Sequence, residues 1–208
     1  MNLECYYWYF QSAIPPKICD EIIKYGLDQQ EQLALTGDLN PDEELTEEQL
    51  KDLSKKRKSN LVWMNERWIY REIHTYINKA NANAGWNFDW DFSESCQFTK
   101  YKEGEFYDWH CDSWDKPYDK PDEPDRHGKI RKLSVTVSLS DETEYEGGDF
   151  EFDFRNKDAE KSQPQVCKEI RPKGSIVVFP SFVWHRVKPV ISGTRHSLVV
   201  WNLGKPFR

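Results

Sequence analysis

The sequence has no apolar run approaching the roughly 20 residues that a membrane-spanning helix needs. Its first residues, MNLECYYWYF, place no basic region ahead of a long apolar core. Neither a membrane anchor nor a secretory leader is expected from such a start. Cysteine is scarce and odd in number, with five (Cys5, Cys19, Cys96, Cys111, Cys167) at no repeated short spacing. That argues against a disulfide framework and for reduced thiols in the cytoplasm. Positive charge is in deficit, with 29 Lys and Arg against 36 Asp and Glu and a net charge of −7. A phosphate backbone calls for a basic face, so a nucleic-acid partner is disfavoured. No internal repeat is visible, and nothing in the chain encodes an oligomeric state.

Aromatics, by contrast, are abundant. Nine Trp, ten Tyr and eleven Phe in 208 residues favour strands over a helical bundle. The length suits one domain with a real core and is short for two. The expectation is a single domain over 1–208, with helical N-terminal support over about 1–85 and a β core over about 86–208.

Read in order, Tyr6 to Phe10 predicts an opening strand. Pro15 and Pro16 then precede Ile18, Ile22, Ile23 and Leu27 at helical spacing, with Gly26 near the end. Residues 28–58 read as a polar surface excursion, holding a short helix at TEEQLKDL that Thr46 caps. A second helix after Asn65 places Trp68, Ile69, Ile73, Tyr76, Ile77 and Ala80 on one face and stops in NANAG. From there the period changes to two. Trp86, Phe88, Trp90 and Phe92 alternate with Asn and Asp, which predicts a half-buried strand. Further strands are expected at SCQFTKY, EFYDWH, KLSVTVSLS, GDFEFDF, QVCKEI, GSIVVF, VWHRV and RHSLVVWNL. Helices followed by about eight short strands imply two packed antiparallel sheets of jelly-roll type.

The stretch YKEGEFYDWHCD (Tyr101 to Asp112) carries the chemistry. In a strand, residues two apart share a face, so His110 and Asp112 would offer an imidazole nitrogen and a carboxylate oxygen to one point. A second imidazole would complete a two-histidine, one-carboxylate set for a divalent iron with open positions, and His185 in FPSFVWHRV supplies it. Arg195 opens the apolar strand RHSLVVW, where a buried cation is costly without an anionic partner. Its planar fork suits a carboxylate, and the Tyr101 hydroxyl can share that acid. Together these point to an organic-acid cosubstrate. His196 should face away from Arg195, His74 and His127 have no partners at ligand spacing, and Cys111 should point from the metal into the core.

These segments resemble the iron(II)- and 2-oxoglutarate-dependent dioxygenases, in their prolyl 4-hydroxylase-like branch. The resemblance rests on YKEGEFYDWHCD, on EGGDFEF (Glu146 to Phe152) and on KGSIVVFPSFVWHRVKPVISGTRHSLVVW (Lys173 to Trp201), with RKS before Trp63 as a looser match. It implies a double-stranded β-helix, with His110, Asp112 and His185 as ligands of Fe(II). Arg195 would hold the distal carboxylate of 2-oxoglutarate, with Tyr101 as helper. Ser138 and Ser197 are candidates to touch that cosubstrate, while Tyr107 and Trp201 read either as cavity wall or as core. The implied reaction consumes O2, releases succinate and CO2, and hydroxylates prolyl residues of a peptide or protein, with ascorbate as auxiliary reductant. The alternatives are the same chemistry on a free amino acid, another small molecule or a nucleic-acid base, or a non-catalytic metal-binding module. The long loop Ser113 to Lys129 has the character of a lid or a substrate contact. Its acids (Asp115, Asp119, Asp122, Glu123, Asp125) hint at a basic peptide, with a solvated loop as the plain alternative.

Overall fold

A computed structural model describes residues 3–35, 45–113, 116–154 and 163–207. The parts of the expected excursion at 36–44, and Asp115 in the expected lid, lie outside these. The first half runs β1 (Trp8–Phe10), α1 (Pro16–Leu27), β2 (Gln32–Leu33), α2 (Glu47–Lys56), β3 (Arg57–Lys58), β4 (Asn60–Met64), α3 (Arg67–Asn83), β5 (Phe92–Ser93), β6 (Cys96–Tyr101) and β7 (Phe106–His110). The second half adds β8 (Ile130–Ser138), β9 (Tyr145–Gly147), β10 (Phe150–Asp153), β11 (Gln165–Val166), β12 (Ile176–Pro180), β13 (Trp184–Val187), β14 (Val190–Gly193) and β15 (Arg195–Gly204).

Local chemistry accounts for the helices. Pro16 opens α1, where its missing N–H costs nothing. Thr46 and Gln49 close a reciprocal capping box at the start of α2, with Gln49 N donating to Thr46 Oγ1 at 3.2 Å and Thr46 N to Gln49 Oε1 at 2.9 Å. In α3 the buried residues are Ile69, Ile73, Ile77 and Ala80, one stripe at i, i+4, i+8 and i+11. Each buried isoleucine contributes about 1.5–3 kcal/mol relative to exposure. Among the described residues no helix is long and apolar enough to cross a membrane.

The strands form two antiparallel sheets in a jelly roll. The larger runs β1-β12-β8-β15-β6-β4-β2, with β5 beside β15, and the smaller runs β11-β10-β13-β7-β3; β9 and β14 form a separate ribbon. The strand period of two gives the large sheet two faces. Phe98, Leu133, Val135, Val137, Leu198 and Val200 pack under α1 and α3, beside Ile22, Ile69 and Ile73. The opposite face sends Tyr101, Val177 and Phe179 into a second cluster with Phe150, Phe152, Val187 and Val190, between the sheets.

Three expectations change. The run from Trp86 is an irregular loop, and only Phe92 and Ser93 enter a strand. The Asn81 side chain explains this: it takes both the Phe88 N–H and the Phe88 carbonyl at 2.9 Å, removing them from any ladder. RKSNLVWM forms β3 and β4, so the region expected as helical support also supplies strands to both sheets. QVCKEI is a two-residue strand followed by a 3-10 turn at Lys168–Ile170.

Candidate active site

The small sheet brings the two histidines together. His110 ends β7 and His185 lies directly opposite it on β13. Asp112 is not on that strand, contrary to the spacing argument. The chain leaves the sheet at Cys111, and the Asp112 backbone N–H donates to the Ser181 carbonyl at 2.8 Å. The carboxylate still reaches the same point. His110 Nε2 lies 3.8 Å from Asp112 Oδ1, and His185 Nε2 lies 3.6 Å from Asp112 Oδ2. One ligand atom from each of the three residues falls within 4.8 Å of the others.

The surroundings prepare these atoms for a cation. His110 Nδ1 sits 2.7 Å from the Asp108 carbonyl and His185 Nδ1 3.0 Å from the Val183 carbonyl. Each carbonyl holds the proton on Nδ1 and leaves a lone pair on Nε2, facing the shared point. Burial, then the neighbouring His185, pushes the His110 imidazole down to about 3, so it is neutral as a ligand must be. Burial alone would raise the Asp112 carboxyl. His185, His110, Arg131 and the Ser134 hydroxyl outweigh it and hold the group below its ordinary value. Ser134 Oγ, 2.6 Å from Asp112 Oδ2, fixes that oxygen, and Ser181 Oγ lies 2.9 Å behind it. Ring stacking completes the setting: Tyr107 lies flat on His110, with centroids 3.5 Å apart, and Phe179 meets His185 edge-on at 4.7 Å. Burial pushes the Tyr107 hydroxyl up to about 12. Two imidazoles and one carboxylate, with Asp112 and His185 buried, His110 half-buried and each held by a second contact, fit iron(II).

The large sheet supplies the other half of the site from its inner face. Cross-strand register puts Arg195 opposite Tyr101, Ser197 between Thr99 and Ser138, and Trp201 opposite Ser134. Arg195 is 2% exposed. Its Nη1 donates to Ser197 Oγ at 3.2 Å and its Cζ lies 5.5 Å from the Tyr101 ring centre. No carboxylate pairs with it among the described residues. A buried guanidinium in that state calls for an anion, so the site fits the distal carboxylate of 2-oxoglutarate. Gly148, from the EGG turn, makes the room: with φ of +60°, a Cβ there would lie 3.0 Å from Arg195 Cδ and 3.1 Å from Val190 Cγ2.

A cleft of about 1300 Å3 opens beside His110 and Asp112, walled by Trp63, Trp109, Trp184 and Trp201 and by Arg57 and Arg131. Trp201 and Tyr107 both line it, while Trp201 is also buried and Tyr107 also packs against the cluster between the sheets. Cys111 also lines the cleft and is half-buried, so it does not belong to the core. Of the loop after Asp112, Ser113 and Arg126 are the described residues that reach the cleft. Glu123 is turned onto Lys120 and Arg126 instead, at 2.7 and 2.8 Å. His196 faces the helices, stacked on Phe98 with 3.1 Å between its Nδ1 and Ser140 Oγ. His74 contacts Ser93 and His127 accepts from Lys120 N, both away from the triad. Sequence reasoning passed over Ser134, which strand parity puts on the same face of β8 as Ser138. Glu94, Arg131 and Arg126 gave no signal at all.

Comparison with known proteins agrees with this geometry. The model of the 2OG-Fe(II) oxygenase superfamily matches residues 96–202, just over half of the chain. A PKHD-type hydroxylase of Synechococcus sp. (strain CC9902) is 39% identical over 99 residues, spanning 47% of this chain and 36% of that protein. One from Bordetella pertussis is 30% identical over 105 residues, spanning 50% of this chain and 41% of its own length. The matches therefore span well under half the length of these curated relatives. In fold, the chain is similar to a viral collagen prolyl hydroxylase of Paramecium Bursaria Chlorella virus-1, with a TM-score of 0.62 at 20% identity and 97% of both chains covered. It is likewise similar to a Pseudomonas putida prolyl-4-hydroxylase, with a TM-score of 0.64 at 16% identity over 98% of this chain and 95% of that one. Matched from the start of β6 into β15 along the strands that build the triad and the Arg195 pocket, the chain belongs to the 2OG-Fe(II) oxygenase superfamily.

Proposed function

We propose that the protein is an iron(II)- and 2-oxoglutarate-dependent hydroxylase of prolyl residues in a peptide or protein. The observation that carries the reading is the buried Arg195 guanidinium, with no carboxylate partner among the described residues, on the sheet face that also supplies Ser134 to the triad. A metal site alone would not need that cation. For the substrate, the support is the cleft. At about 1300 Å3 it exceeds the usual 300–1000 Å3 of a small-molecule pocket, and its four tryptophans offer flat apolar faces to an extended chain and a pyrrolidine ring. The similar proteins named as hydroxylases of prolyl groups favour the same target. The reduced cysteines, with no disulfide among the described residues, support a cytoplasmic setting.

Bound iron(II) and 2-oxoglutarate would supply the oxidising chemistry that inserts one oxygen atom of O2 into a C–H bond, giving succinate and CO2. The chain's own contribution is placement. His110 and His185 present their Nε2 atoms, each ring held through Nδ1 by a backbone carbonyl, and Asp112 presents an oxygen held by Ser134. Three protein donors leave the remaining positions open. Arg195 receives the distal carboxylate of the cosubstrate with Tyr101 and Ser197 beside it. Tyr107 covers the flat face of His110 and keeps water from that side.

The test is succinate production from 2-oxoglutarate with iron(II), with and without proline-containing peptides, beside a His185→Ala control. Turnover that peptide stimulates and the control lacks would establish the reading. Cosubstrate binding without peptide stimulation would refute the prolyl target, and failure to bind 2-oxoglutarate after anaerobic iron loading would refute the enzyme.

A further inference from the structure

Glu94 sits just ahead of β6, and its backbone is fixed: its N–H donates to the Trp201 carbonyl and its carbonyl accepts from Tyr70 Oη, both at 2.9 Å. Its side chain is 6% exposed. One carboxylate oxygen accepts from Arg131 Nε at 2.5 Å. The other accepts from Arg126 Nη2, and from Tyr118 Oη at 3.3 Å. These donors come from two places. Arg131 lies at the start of β8, while Arg126 and Tyr118 belong to the segment between Asp112 and β8. That segment closes on itself through Tyr118 N to the Lys129 carbonyl and Gly128 N to the Tyr118 carbonyl, both 2.9 Å. Glu94 therefore ties the segment following a metal ligand to the sheet.

The charge balance gives this tie a second consequence. Two arginines share one carboxylate, and Arg131 lies with Cζ 3.9 Å over the Trp201 ring in the cleft wall. Arg131 and Asp112 line the same cleft, so the guanidinium and the carboxylate face one space. A guanidinium binds a carboxylate through two parallel hydrogen bonds when geometry allows. Such a pairing would occupy the oxygens that Asp112 must offer to a metal. We propose that Glu94 is a positioning residue for the metal centre: it holds Arg131 on Trp201 and so keeps that guanidinium from competing with the metal for Asp112. This rests on the reading of His110, Asp112 and His185 as a metal site. It adds a residue remote from the ligands, whose removal acts through a second residue.

The experiment is a double-mutant cycle read by Mn(II) titration of the metal-free protein, so that no turnover is needed. Native protein, Glu94→Gln, Arg131→Met and the double variant are compared, with melting curves to confirm folding. The expected result is that Glu94→Gln weakens Mn(II) binding about tenfold or more, in the range of outer contacts to metal ligands. Arg131→Met alone should change it less than about threefold, and the double variant should return to the Arg131→Met value. The double variant replaces a buried ion pair by neutral groups, which proteins commonly tolerate. Should Glu94→Gln be too unstable to titrate, Glu94→Asp gives the same comparison, because the shorter side chain cannot hold both arginines. Native-like binding in the Glu94 variant, or a double variant as weak as Glu94→Gln alone, would overturn the proposal. A native protein that binds no Mn(II) would overturn the metal reading instead.

Discussion

Replacing Arg195 by Met separates function from stability more sharply than any change to the metal ligands. Methionine keeps much of the length and fills irregular space readily, while removing the charge and the 3.2 Å bond to Ser197 Oγ. In the cosubstrate-free protein that bond, made by a charged group, contributes about 1.5–3 kcal/mol. Against it stands the cost of burying a guanidinium with no carboxylate partner among the described residues, on the order of several kcal/mol. The variant should therefore melt at the native temperature or above it. Binding of 2-oxoglutarate should move the other way. Hydrogen bonds to a charged group are worth about 1.5–3 kcal/mol, so losing the fork should weaken Kd by about 30- to 150-fold at 2–3 kcal/mol. The assay pairs thermal melts of the metal-free protein with calorimetric titration of 2-oxoglutarate into the Mn(II)-loaded protein. Mn(II) affinity itself should hold, because the ligands lie elsewhere. A Kd within threefold of native would refute the cosubstrate role. A fall in stability of several kcal/mol would show that the guanidinium already serves the fold.

Three further outcomes follow from the same contacts. Ser134→Ala removes the 2.6 Å hydrogen bond to Asp112 Oδ2, and Mn(II) titration should show affinity lower by about 10- to 100-fold. Gly148→Ala forces a side chain onto φ of +60° and against Arg195 Cδ. Urea denaturation should report a loss of about 1–2 kcal/mol from the backbone alone, and 2-oxoglutarate binding should weaken with it. Burial, then Lys100, Arg195 and Lys173, pushes the His196 imidazole from 6.5 to about 4. Between those values the unfolded chain holds a proton that the folded chain does not. The stability this neutral histidine contributes is complete above pH 6.5 and is lost as pH falls toward 4. Melting curves of native protein and His196→Gln should converge over that window, and parallel curves would show that the imidazole charges freely in the fold.

Periodicity revealed those elements whose backbone obeys one pattern from end to end. The stripe of Ile69, Ile73 and Ile77 and the alternation through Leu133, Val135 and Val137 each meet one apolar surface, and each is buried as its spacing predicts. Trp86 to Phe92 has the same alternation and is not a strand, because Asn81, seven residues before Phe88, takes the backbone groups a ladder would need. β4 shows the reverse failure. It buries Leu61 as well as Val62 and Met64, so apolar residues of both parities follow one another and no alternation marks it.

The triad shows why the right residues can be read for an incomplete reason. Parity placed His110 and Asp112 on one face of an extended strand, yet β7 ends at His110. Asp112 arrives through a backbone bond to Ser181 and a side-chain bond from Ser134, contacts 69 and 22 residues away in sequence by their numbering. The spacing of two limits how far the carboxylate can stray, but the large sheet decides where it points. Glu94 extends the same lesson to charge. The acids between Ser113 and Lys129 invite a reading of the loop as a negative surface, but net composition does not say which side of a loop a charge takes. Glu94 draws Arg126 inward and Glu123 follows it as a partner, so the described loop residue that carries charge into the cleft is an arginine. A carboxylate 32 residues before Arg126 thus decides which charge the loop turns toward the triad, and only the folded register of β6, β8 and β15 brings it there.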